Sequence, residues 1–193
     1  MDLTRISTLL LGAWMGGCVF MDLVATQNFR TVDRLLDAPP APVAARIQAM
    51  GGRDPVRALL RFQSSELNRK YFTTWEDAQL VLGVLVIFTL VAAGHRERVT
   101  LWLPALMLLV TLLMHFVLTP EITRLGRQMD FASPGAPAQS STRFWMFHGG
   151  YSALELIKLG WGIALVVWLM LPKRKKPITD TATATQADPS QVA

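Results

Sequence analysis

Four stretches of this 193-residue chain are apolar for about the length a bilayer demands. A spanning helix needs about 20 such residues. Residues 6–26, 75–94, 99–118 and 144–171 each supply that length. Backbone inside hydrocarbon must satisfy its own hydrogen bonds, so such runs predict helices. The expected fold class is all-α: an integral membrane four-helix bundle, with amphipathic helices in the loop between spans one and two.

Spans joined in series alternate in direction. The end of span one, the start of span two, the end of span three and the start of span four therefore share one membrane face. That face collects Asp22, Glu76, Asp77, His115, Glu121 and His148, together with both long loops. The opposite face holds Arg5, His95, Arg96, Arg98 and the basic run at residues 173–176. Spans two and three are linked by the short turn His-Arg-Glu-Arg, so they are expected to be antiparallel neighbours.

The fourth span is the least lipid-like. It carries Glu155 and Lys158 within the run and His148 at its mouth. A charge at the centre of a spanning helix costs about 2.5–3.5 kcal/mol on insertion scales, so such residues face other helices and find partners. His148, Ser152, Glu155, Leu159 and Gly162 lie three or four positions apart and form one helical stripe. Met15, Cys18, Asp22 and Thr26 form a similar stripe on span one. We therefore expect Asp22, His115, His148, Glu155 and Lys158 to form a polar intramembrane cluster opening to the long-loop face. One use of it is a proton path or a solute-binding pair. The plainer alternative is a structural ion pair that fixes helix register, with Lys158 snorkelling.

Gly12 and Gly16 form a GxxxG on span one, with Gly17 beside them, which predicts close helix packing. The same glycines offer a surface for a homo-oligomer or a membrane-protein partner. Between spans one and two, residues 29–72 read as an amphipathic cap. Ala38–Pro42 breaks it, residues 42–50 resume it, and Gly51 and Gly52 break it again. Asp54 followed by Pro55 predicts a helix start, and Thr74 with Asp77 resembles a capping box opening span two. Thr119–Pro120 is expected to stop span three, residues 121–131 to form a short polar helix, and residues 132–142 a loop. Residues 1–172 form the membrane domain; the basic stop and tail at 173–193 lack apolar periodicity and read as disordered.

The net charge of +5 does not point to nucleic acid. The basic residues flank apolar runs, where lipid headgroups and topology account for them. The lipid bilayer is the expected partner. Seven Lys and Arg lie on the terminal face and eleven on the long-loop face, but several of the eleven sit far from a span end. The run at 173–176 follows a span directly, which favours both termini in the cytoplasm, and the compact loops favour a bacterial inner membrane. The single cysteine, Cys18, excludes an intrachain disulfide and a multi-cysteine zinc site. No nucleophile–base order, phosphate loop or paired metal motif is present, so no catalytic residue is assigned.

Several segments resemble a known family. LGAWMGGCVF in span one, TPEI after span three and RFWMFHGGYSALELIKL entering span four are similar to the family called domain of unknown function 4149, related to transmembrane protein 205. The resemblance spans residues 9–171. It implies a small four-helix membrane protein without an assigned activity or a required cofactor, and carries over His148 as a family site. Where that family has a basic residue after the TP proline, this chain has Glu121, with Arg124 one turn later. A fainter resemblance, through the Trp-x-Gly-Gly of span one, is to copper-resistance D type inner-membrane proteins. It implies copper handling, and the side chains offer an alternative in which copper or haem is bound by His115 and His148, with Met114 and Met146 at a similar level. Thioethers and imidazoles suit Cu(I), and paired histidines suit haem.

Overall fold

The computed structural model describes residues 2–131 and 138–171, and all the regular structure in them is helical. Helix α1 runs Leu3–Asp37, α2 Ala41–Ala49, α3 Arg53–Ala92, α4 Arg98–Leu113, α5 Thr119–Met129 and α6 Ala138–Met170. A π-helical turn, Met114–Leu118, joins α4 to α5 without a break. Four helical stretches are long and apolar enough to cross a membrane: Leu3–Asp37, Arg53–Ala92, Arg98–Met129 and Ser141–Met170.

Their buried positions repeat at alternating steps of three and four. In α1 these are Ser7, Leu11, Trp14 and Cys18; in α3, Glu76, Gln79, Gly83, Val86 and Leu90. In α4 and the π turn they are Thr100, Pro104, Met107, Thr111 and Met114. In α6 they are Tyr151, Glu155, Lys158, Gly162 and Leu165. That seven-residue seam is the pattern by which near-parallel helices interlock. It brings Leu11, Trp14, Cys18, Val86, Leu90, Met107 and Leu165 into one core. The outside is the greasier surface. Phe88, Trp102, Leu109, Phe116, Leu156 and Ile163 are exposed, while Glu76, Gln79, Glu155 and Lys158 are buried. Apolar outside with polar groups inside is the arrangement that lipid, not water, favours.

The spans and the cap are not separate elements. Helix α3 has 40 residues, about 60 Å at 1.5 Å per residue, twice the roughly 30 Å of hydrocarbon. Its first half and the end of α1 continue past the span-length apolar stretches together as an antiparallel pair. Val32, Leu36, Ile47 and Val56 give this extension its own small core, with α2 laid across it. Asn28 donates to Asn68 (2.6 Å), and Asn68 donates to the Ala25 carbonyl (3.1 Å). Arg57 and Arg61 hold Asp33, while Arg69 bridges Glu66 and Asp130.

Four expected boundaries differ. Gly52, at φ 97°, caps α3, so Asp54 lies in the first turn and does not cap it. Thr74 and Asp77 open nothing, because α3 runs straight through them. Thr119–Pro120 does not stop span three. Proline cannot donate to the carbonyl four residues back and crowds it. The π turn absorbs the misfit: the Thr119 N–H reaches the Met114 carbonyl, five residues earlier. Of the expected loop at 132–142, residues from Ala138 onward are helical. The rest of that loop, the basic run at 173–176 and the tail lie outside the described residues.

Candidate polar site inside the membrane core

Lys158 is 1% exposed and is held by residues of the second and third spans and of its own helix. Its Nζ donates to Glu155 Oε1 at 2.9 Å and to Gln79 Oε1 at 2.5 Å. Longer contacts reach Thr111 Oγ1 at 3.4 Å and Met114 Sδ at 3.8 Å. Gln79 Oε1 also accepts from Trp14 Nε1 at 2.9 Å and, more weakly, from Cys18 Sγ at 3.7 Å. One layer thus joins α1 (Trp14, Cys18), α3 (Gln79), α4 with its π turn (Thr111, Met114) and α6 (Glu155, Lys158). Glycines let the helices close around it: a Cβ on Gly17 would lie 2.0 Å from the Trp75 ring, and one on Gly162 2.6 Å from Met15 Sδ.

A second assembly lies about one helical turn nearer the long-loop face. Glu76, fully buried, accepts through Oε1 from Thr119 Oγ1 (2.5 Å) and Tyr151 OH (3.0 Å). His115 Nδ1 approaches Glu76 Oε2 at 3.3 Å, and its Nε2 lies 3.8 Å from Asp77 Oδ1. The Asp77 side chain is 64% exposed, so this assembly runs from the surface into the core. Widening of the helix at Met114–Leu118 turns Met114 toward Lys158 and His115 toward α3. Such π turns recur at functional sites.

Both assemblies contain unpartnered polar atoms. Glu155 Oε2, Gln79 Nε2, Trp75 Nε1, Glu76 Oε2 and His115 Nδ1 are buried without a hydrogen-bond partner. Buried polar atoms are rarely left so, because each costs about 1–3 kcal/mol. On the terminal side the layer is closed. Leu11, Val86, Leu90, Met107 and Leu165 fill the next turns with apolar side chains. Lys158 and Leu165 are seven residues apart, so this apolar plug is about 10 Å deep. Beyond it Ser7 donates to Thr89 (2.8 Å), and Thr4 and His95 are bonded at 3.1 Å.

The expected cluster is therefore divided. Glu155 and Lys158 form the buried pair, while His115 turns to Glu76 and Asp77. Asp22 is exposed beside α6, within electrostatic range of His148, Glu155 and Lys158. His148 stacks on Phe144 at 5.7 Å and meets Trp145 edge-on. The inward stripe of α6 is Tyr151–Glu155–Lys158–Gly162–Leu165, so Ser152 of the expected stripe is exposed. Gly12 and Gly16 are exposed with nothing near their missing Cβ atoms; only Gly17 of the three packs within the chain. Glu121 and Arg124 pair with one another on the surface at 2.5 Å.

The donor set offered for copper or haem is dispersed. Met114 is buried at Lys158, whereas Met146 is 66% exposed. Glu155, at the level of the buried layer, is nine residues beyond Met146, which is about 13 Å along α6. Among the described residues no group of three or more His, Cys, Asp or Glu is gathered to hold a metal ion.

Sequence reasoning passed over Gln79, Trp14, Thr111 and Tyr151. Their signal was present: each lies on its helix's three-four seam, where a polar side chain faces other helices.

Fold and site together define a helical membrane protein with a buried polar layer between its spans and an apolar layer on the terminal side. A family model described as Domain of unknown function (DUF4149) matches residues 9–130, and the chain belongs to that family. The match takes in α2 to α5 and most of α1 and ends before α6, so Tyr151, Glu155 and Lys158 lie beyond it. No curated protein and no solved structure matches the chain.

Proposed function

We propose that this is a small-solute-handling membrane protein, in which water, protons or a small hydrogen-bonding solute reach the Glu155–Lys158 pair from the long-loop face. The carrying observation is the set of unpartnered buried atoms around that pair, above all Glu155 Oε2 and Gln79 Nε2. A purely structural ion pair would use both carboxylate oxygens, since a half-satisfied network is less stable than an apolar one. The polar residues lie toward the long-loop face and the apolar plug toward the termini, which supports access from one side. The bilayer in question is a bacterial inner membrane with both termini cytoplasmic, as the basic residues next to span ends favour.

Isotope exchange tests the reading. In acidic buffer the infrared band of a protonated carboxyl shifts when O–H becomes O–D. The Glu155 band, assigned by its loss in Glu155→Gln, should exchange within minutes when bilayers holding the full chain are moved into heavy water. A Glu155 band that stays unexchanged for hours would contradict the reading.

A further inference from the structure

Resting on that reading, we infer that Asp77, His115 and Glu76 form a proton relay between the long-loop surface and the buried layer. Three distances carry it. The exposed Asp77 carboxylate is 3.8 Å from His115 Nε2, His115 Nδ1 is 3.3 Å from Glu76 Oε2, and Tyr151 OH is 3.0 Å from Glu76 Oε1. The imidazole is the one group here with a proton site at each end. One end faces a solvated carboxylate and the other a fully buried one.

The transfer balances. A proton arriving by way of Asp77 binds His115 Nε2, and the Nδ1 proton passes to Glu76 Oε2. The imidazole charge is unchanged and the Glu76 carboxylate is neutralised. The reverse transfer releases the proton. No oxidant or other reactant is needed.

Two further observations point the same way. His115 Nδ1 and Glu76 Oε2 face each other at 3.3 Å, and neither has any other partner among the described residues. Transfer pairs are often loose at rest and tighten when they act. The π turn is the second. It places His115 between α3 and the surface, and Thr119, which follows it, donates to Glu76 at 2.5 Å. Among the described residues, the polar side chains that touch Glu76 belong to this assembly: Thr119 and His115 from the third span, Tyr151 from α6. Tyr151 then leads inward, one turn before Glu155 on the same buried stripe.

The test follows the carboxyl band of Glu76, assigned by its loss in Glu76→Gln, under the same heavy-water exchange. In His115→Gly, exchange at Glu76 should slow by at least about tenfold, as for a lost general acid–base group. Added imidazole should restore it. An unchanged rate overturns the relay. So does a slowed rate that imidazole leaves slow, because His115 would then only hold structure. If circular dichroism shows His115→Gly misfolded, Asp77→Asn at the exposed end replaces it: slower exchange at Glu76 supports the relay, and an unchanged rate overturns it. Failure here leaves exchange at Glu155 in the wild type intact. Failure of the broader reading abolishes that exchange itself.

Discussion

Lys158 Nζ lies 2.9 Å from Glu155 Oε1, three residues earlier on the same helix, with the Lys158 side chain 1% exposed and that of Glu155 7% exposed. Both side chains are buried among the helices, and each is the other's charged partner. Breaking a buried pair by removing one partner costs about 3–5 kcal/mol, whereas replacing both by apolar residues is often neutral. Glu155→Ala should therefore destabilise the protein by about that amount, and Glu155→Leu with Lys158→Met should recover most of it. Denaturant unfolding in micelles reads both. A Glu155→Ala protein as stable as wild type would sink the pair as a structural element.

The three glycines of span one should behave differently. A Cβ at Gly17 would meet the Trp75 ring, so Gly17→Ala should cost about 1–3 kcal/mol, the usual range for overpacking a filled site. Gly12→Ala and Gly16→Ala have open space and should leave unfolding of the single chain unchanged. Comparison of melting temperatures in one detergent decides this. If self-association is weakened in the latter two, the exposed Gly12–Gly16 face is a contact between copies.

The π turn follows from Pro120. Pro120→Ala restores a backbone donor, which allows the helix to regularise through residues 114–118 and rotates His115 away from Glu76. The expected result is slower carboxyl exchange at Glu76 with little loss of helix. Exchange at the wild-type rate would show that the turn is held by packing alone.

The extramembrane extension should loosen in acid. The hydrogen bond from Arg57, with Arg61 nearby, holds the Asp33 carboxyl below its ordinary value of 3.8. The folded form thus keeps its proton off longer than the unfolded form does. This contribution is complete above about pH 4 and fades as the pH falls through the lower, folded value. The pair is solvent-exposed, so the effect is small and weakened by salt. Amide exchange in residues 30–36, corrected for the intrinsic effect of pH, should accelerate from pH 5 to pH 3 in wild type. In Asp33→Asn that acceleration should vanish.

Much of this arrangement is legible in the sequence. The apolar runs give the spans, and alternation of direction gathers Glu76, Asp77 and His115 at one end. What local pattern cannot settle is helix rotation. In α6, two stripes share Glu155 and Gly162, one continuing through His148 and Ser152, the other through Tyr151 and Lys158. Only the partners on α3 and α4, Glu76, Gln79 and Thr111, select the second. Helix ends mislead for a similar reason. Thr74–Asp77 and Thr119–Pro120 carry the chemistry of boundaries, but neighbouring helices hold both segments helical. Gln79 reads as an ordinary residue near a span's start until Lys158 and Trp14 are seen to converge on its one carbonyl oxygen.

If small polar species reach this layer, Lys158 meets them. Magnetisation transferred from water to side chains can be followed by NMR in bilayers holding lysine- and leucine-labelled protein, with the Lys158 signal identified by its absence from Lys158→Met. The account predicts that Lys158 receives water magnetisation early, well before the Leu165 methyls in the apolar plug. Transfer to Lys158 as slow as that to Leu165 would contradict it and leave a dry structural ion pair.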